Sequence, residues 1–275
     1  MKDLFDLTGK AAVVVGVGGL GSAQALGFAE YGADIVLADY KVEHLSEIAD
    51  EIEKMGRKVL TLEVQVADEQ SVQDMVSKTL EVFPQIDILA NSAGINRPTS
   101  EKLSPMQGWQ EVMDVNLKGT YLCCQMISRE MVKHKAGKII NISSIRGWYG
   151  SKGGPPKPPE GEGDDPSQDE KRPARAGSYG LSKGAINTLT RSFAAEMAVH
   201  NVNVNAIAPT MMDTPLVQDA LTNPKAAERI KSGIPMGRWG MPEDIVGLSI
   251  FLATKASDYV TGQIIYLDGG QCCYA

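Results

Sequence analysis

The stretch VVVGVGGLGSAQAL sets three glycines, Gly16, Gly18 and Gly21, at G-x-G-x-x-G spacing between a run of valines and a helical pattern. Glycines there permit a tight turn and let backbone N–H groups at a helix N-terminus approach a pyrophosphate. The next apolar run, DIVLAD, ends in Asp39, about 20 residues downstream. A carboxylate at that point can accept hydrogen bonds from ribose hydroxyls and repels the extra phosphate of NADP. The chemistry is that of a dinucleotide site, with NAD as the expected cofactor. A second pair, Tyr179 and Lys183 in YGLSK, is four residues apart and so shares one face of a helix.

The elements that must position these residues alternate along the chain. AAVVV, DIVLA, VLTLEV, IDILAN, KIINIS, VNVNAIA and QIIYL read as strands. Their near-continuous apolarity suits a parallel sheet buried on both faces. Between them GSAQALGFAEYG, VEHLSEIADEIEKMG, EQSVQDMVSKTLEVF, a long segment from about Pro105 to His134, and YGLSKGAINTLTRSFAAEMAVH have helical spacing. The pattern predicts an α/β protein, a doubly wound parallel sheet of the Rossmann type, as one domain over residues 1–275.

Composition narrows the partners. A net charge of −7 with no Lys/Arg-rich face disfavours nucleic acid. The N-terminus lacks a signal-peptide layout and the chain lacks a long apolar span, so no membrane is expected and the cytoplasm is the expected compartment. Cys123–Cys124 and Cys272–Cys273 are adjacent pairs, which read as buried reduced thiols rather than a disulfide framework. His44, His134 and His200 are far apart, with no metal-ligand spacing around them, so no metal site is assigned.

Further motifs follow in a telling order: NSAG from Asn91 to Gly94, VNLKGT around Asn116, NISS ending at Ser144, NAIAPT after a strand, and DGG at Asp268 to Gly270. With the glycine loop and YGLSK, they resemble the short-chain dehydrogenase/reductase family along nearly the whole chain. The resemblance implies that Tyr179 is the general acid/base, exchanging a proton with the substrate oxygen as hydride passes to or from the nicotinamide. A phenol is a poor base at neutral pH, and Lys183 would supply the cation that stabilises the phenolate while also binding the nicotinamide ribose. Ser144 would hydrogen-bond the substrate oxygen, and Asn116 would hold a water in the proton relay.

By the same resemblance Gly16, Gly18, Gly19, Leu20 and Gly21 cradle the phosphates. Asp39, Gln65, Val66, Asn91 and Gly94 line the adenosine side, and Pro209 and Thr214 touch the nicotinamide end. The chain departs from the family pattern at several points. Val15 precedes a shortened glycine loop, Gln65 stands where an Asp commonly meets the adenine, Ser92 replaces an Asn, and Thr210 replaces the Gly after Pro209. The opening LFDLTGK resembles gluconate 5-dehydrogenase-like members, which implies a sugar acid or polyol as substrate. Members of the family are commonly tetramers, so a homotetramer is expected.

Ser144 and Tyr179 are separated by an insertion, residues 151–176, within the Pro-, Gly- and charge-rich tract GSKGGPPKPPEGEGDDPSQDEKRPARAG. It has too few apolar side chains for a core of its own. It reads either as an inert surface loop or as a lid rooted beside both catalytic side chains, and its position favours the lid. Arg97, Arg146, Arg172 and Arg175 are candidate partners for an anionic or polyhydroxylated substrate. The expected activity is NAD-dependent interconversion of a secondary alcohol and ketone on a small polar substrate. The alternatives are 3-oxoacyl-thioester or hydroxysteroid chemistry on the same fold, and a non-catalytic dinucleotide sensor.

Overall fold

In the computed structural model, residues 2–96, 105–149, 177–217 and 224–273 are described. Seven strands, β1 (Ala11–Val15), β2 (Asp34–Asp39), β3 (Val59–Glu63), β4 (Ile88–Asn91), β5 (Gly137–Ile142), β6 (Val202–Pro209) and β7 (Ile264–Leu267), form one parallel sheet. Their spatial order is β3-β2-β1-β4-β5-β6-β7, so the winding reverses between β1 and β4. A crevice opens at the carboxyl ends of the strands at such a reversal, which is where ligands bind in open α/β sheets.

Among the described residues, eight helices surround the sheet: α1 (Gly19–Glu30), α2 (Ser46–Lys54), α3 (Glu69–Val82), α4 (Pro105–Val112), α5 (Thr120–His134), α6 (Ser178–Met197), α7 (Pro224–Ser232) and α8 (Val246–Ala253). Alternate residues of β1 feed two separate cores. Val13 and Val15 pack with Val72 and Met75 of α3, Ile127 of α5 and Phe193 of α6. Ala12 and Val14 pack with Phe28 of α1, Ile52 of α2 and Ile250 of α8. Burial on both faces explains why the strand reads as an unbroken apolar run.

The segment expected as one helix from Pro105 to His134 is broken in the middle by a π-helical turn, Met113–Gly119. The cause is tertiary. Asn116, fully buried, points its amide inward, with Oδ1 accepting the Ile95 N–H at 2.8 Å and Nδ2 donating to the Ile95 carbonyl at 3.0 Å. Gly119 packs on Val66, where an added Cβ would lie 2.7 Å from Cγ2. A widened turn satisfies both contacts, and such turns recur at functional sites. The 151–176 insertion, with Arg172 and Arg175, and also Arg97, lies outside the described residues. No helix among the described residues is long and apolar enough to cross a membrane.

Candidate active site

The carboxyl ends of β1, β2, β4, β5 and β6 wall a cleft of about 960 Å³. At its nucleotide end Gly16 leaves β1 with φ +86°, and a Cβ there would run into the backbone of Ala93. A Cβ on Gly21 would strike the Gly16 carbonyl, and one on Gly19 would lie 2.6 Å from Thr214 Cγ2. The glycines thus form a cradle that side chains would fill, opening onto the N-terminus of α1, where backbone N–H groups lack helical partners. Gly16, Gly18, Gly19, Leu20, Gly21, Gln65, Val66 and Gly94 all line the cleft. This arrangement fits a dinucleotide pyrophosphate.

Asp39 ends β2 on the same cleft and is only 6% exposed. Its Oδ2 accepts the Val17 N–H at 2.7 Å, which ties the glycine loop to β2, while Oδ1 has only a long bond of 3.4 Å from the Lys41 N–H. Asn91 sits apart from the cleft wall. Its amide is buried and donates to Asn141 Oδ1 at 2.9 Å and to Cys124 Sγ at 3.3 Å, pinning β4 to β5 from beneath. Ser92, the departure in NSAG, donates its hydroxyl to Gln24, whose Nε2 donates to Ser249 at 2.9 Å.

The chemical end gathers Ser144 after β5 and Tyr179 and Lys183 on the first turns of α6. The Ser144 hydroxyl is hydrogen-bonded to Tyr179 and accepts the Arg146 N–H at 3.1 Å. Lys183 is 3% exposed, donates to the Ile142 carbonyl at 2.7 Å, and holds its ammonium 5.6 Å from the Tyr179 ring centroid. Burial pushes the Lys183 amine down to about 8. Burial raises the Tyr179 phenol above its ordinary value, against the lowering pull of the Ser144 hydrogen bond and the Arg146 charge. Asn116 reaches the same place from the π turn, its Nδ2 also donating to Ser182 Oγ at 3.1 Å. Pro209 and Thr214 complete the wall from the end of β6 and the loop beyond it.

Several residues that position the site escaped sequence reasoning. Ser143 donates to Asn187 at 2.6 Å and to the Lys183 carbonyl at 3.1 Å, and Asn187 donates to the Gly147 carbonyl at 3.3 Å. These bonds lock the end of β5 onto α6, so that Ser144 and Tyr179 face one another. The available signal was the first serine of NISS together with an Asn four residues beyond Lys183. Gln271, also missed, reaches the cleft from beyond β7. One cysteine reading needs correction: Cys123 and Cys124 are buried, but Cys272 is half-buried and Cys273 exposed, on a turn beyond the last strand that belongs to neither core.

A family model for the short chain dehydrogenase matches residues 10–156, and one described as enoyl-(acyl carrier protein) reductase matches residues 168–271. The chain belongs to the short-chain dehydrogenase family and is an oxidoreductase of that family. It is 36% identical over 268 residues to the 2-dehydro-3-deoxy-D-gluconate 5-dehydrogenase of Dickeya dadantii, covering 97% of this chain and 96% of that one. It is 34% identical over 265 residues to the 3-oxoacyl-(acyl-carrier-protein) reductase FabG of Thermotoga maritima, covering 96% and 98%. A crystal structure of a gluconate 5-dehydrogenase from Burkholderia cenocepacia J2315, in complex with NADP and tartrate, superposes with a TM-score of 0.85 at 30% identity, covering 99% of each chain.

Proposed function

We propose that the protein transfers a hydride between NAD and the secondary alcohol or ketone of a small polar substrate, a sugar acid or polyol. The observation that carries this reading is the meeting of the Ser144, Tyr179 and Lys183 side chains with the glycine cradle and the Asp39 carboxylate around one cleft. The nicotinamide supplies the hydride acceptor or donor. Gly16, Gly18, Gly19, Leu20 and Gly21 offer backbone N–H groups to the pyrophosphate. Asp39 accepts from the ribose hydroxyls and disfavours a 2′-phosphate by like charge. Gln65, Val66 and Gly94 flank the adenosine side, and Pro209 and Thr214 the other end.

In the oxidising direction Tyr179 Oη takes the hydroxyl proton of the substrate and returns it in reduction. Ser144 Oγ donates to the same substrate oxygen and keeps it against Tyr179. The Lys183 ammonium stabilises the phenolate. Asn116, with its amide committed to Ile95 and Ser182, serves the relay by holding the backbone at Ile95 and the π turn in place. The names of the relatives support sugar-acid chemistry, and the Thermotoga relative keeps a 3-oxoacyl thioester as the second reading.

The test is a nicotinamide-reduction screen with NAD and NADP over sugar acids, polyols, hydroxysteroids and hydroxyacyl thioesters. Turnover with a sugar acid or polyol and NAD is the expected result. Turnover confined to thioesters with NADP would replace it.

A further inference from the structure

The substrate end of the cleft has a wall that hydride transfer does not account for. After β7 the chain makes a tight turn in which the Asp268 carboxylate accepts the N–H groups of Gly270 at 2.9 Å and Cys272 at 2.7 Å. The Gly269 carbonyl accepts the Met236 N–H at 3.2 Å, which ties the turn to the segment after α7. The result is to bring Gln271 into the cleft shared by Ser144 and Tyr179.

Two features give this wall a chemical preference. The Gln271 side-chain oxygen accepts a hydrogen bond from the Thr210 hydroxyl, at the position where the family pattern has a glycine. With that oxygen engaged, the amide NH₂ is the group left to offer a ligand. Arg146 lines the same cleft, two residues after Ser144, with its guanidinium over the Tyr149 ring at 5.8 Å. Its charge bears on Tyr179, and Tyr149 also feels the charge of Asp268, so Arg146 adjoins both the acid/base and the C-terminal turn. Asp268 turns its oxygens to its own backbone. The other carboxylates on the cleft, Asp39, Glu111 and Asp114, belong to the end of β2 and the helical segment around Asn116.

We propose that Arg146 and Gln271 form a subsite that receives a carboxylate, so that the substrate is a hydroxy acid or its keto acid rather than a neutral polyol. A guanidinium offers a charge-assisted, planar pair of donors to a carboxylate, and the amide adds a neutral donor beside it. A hydroxyl could also accept from Gln271, but only an anion gains from the fixed charge of Arg146. This inference rests on the hydride-transfer reading above.

The test titrates D-gluconate and D-sorbitol into the protein saturated with NADH, reading nicotinamide fluorescence, in the wild type, Arg146→Gln and Gln271→Glu. Melting temperature and NADH affinity confirm that each variant is folded. Each substitution should weaken gluconate at least about tenfold, the scale of one charge-assisted hydrogen bond, and sorbitol by much less. Equal weakening of both ligands, or unchanged gluconate binding, would overturn the subsite. Because the readout is binding, a wild type that turns over no sugar acid would defeat the hydride-transfer reading while the subsite is still judged by the titrations.

Discussion

Replacing Lys183 by Met removes one buried charge, and the structure sets how much that charge is worth to Tyr179. The ammonium lies 5.6 Å from the ring over which a phenolate spreads its charge. At an effective dielectric of about 20 the attraction is about 3 kcal/mol, or about two pKa units. Burial holds the lysine at about 8, so at neutral pH most of the population still carries the charge. Alcohol oxidation needs the phenolate opposite a charged Lys183, and its kcat/KM therefore climbs with pH only up to about 8, where the lysine itself discharges. Without the ammonium the rising limb continues upward towards the raised Tyr179 value, and the rate at neutral pH falls about a hundredfold. The assay is kcat/KM for oxidation against pH at saturating cofactor, which separates this effect from any loss of ribose binding. A loss under about tenfold at neutral pH, or a rising limb that stays in place, would refute the electrostatic reasoning.

Tyr179→Phe should keep the melting temperature and cofactor affinity while lowering turnover at least about a hundredfold, and near-full turnover would remove Tyr179 from the acid/base role. Asp39→Asn should raise catalytic efficiency with NADP relative to NAD, since it removes the repelling charge; a wild type that works as well with NADP would show the cofactor reading to be wrong. Thiol labelling of the native protein at mildly alkaline pH should give one fast equivalent, at exposed Cys273. Burial pushes Cys123 up to about 12 and raises Cys124, and burial together with the Asp268 carboxylate pushes Cys272 up to about 12. Half-buried Cys272 should follow slowly in the native protein, Cys123 and Cys124 should label only on unfolding, and rapid labelling of Cys124 in the native state would contradict its burial.

The glycine loop, the strands and the Tyr179–Lys183 pair were legible because local sterics and spacing determine them. Gly16 stands where the chain needs φ +86°, and Lys183 stands one helical turn after Tyr179 whatever the rest of the fold does. The π turn was not legible, since the weak helix formers of VNLKGT do not by themselves mark a widened turn and the break comes from Ile95 and Val66, far away in sequence. Helix α8 was missed for a different reason. Only Gly247 of its eight residues is exposed, so VGLSIFLA shows little of the polar face that marks a surface helix. Gln271 had no signal of its own, because its place depends on two positive-φ glycines, Gly269 and Gly270, and on Asp268 closing the turn around them.

Asp39 shows why a motif residue need not do only its motif's work. The glycine loop is shorter than the family pattern, and two bonds fasten it to β2: Gly16 N–H to the Ala38 carbonyl at 2.8 Å and Val17 N–H to Asp39 Oδ2 at 2.7 Å. One carboxylate oxygen is thereby committed to the loop, and the other, with its long 3.4 Å bond from Lys41, is the one free to meet a ribose. An alanine at this position strips away charge, ribose acceptor and loop fastening together, and leaves the Val17 N–H without a partner, at a cost of about 1–3 kcal/mol. An asparagine removes the charge but can still accept from Val17. Affinity lost in Asp39→Ala beyond that lost in Asp39→Asn therefore measures the fastening together with the hydrogen bond that the asparagine amide can still give the ribose, and the preference between the two nicotinamide cofactors is read from Asp39→Asn.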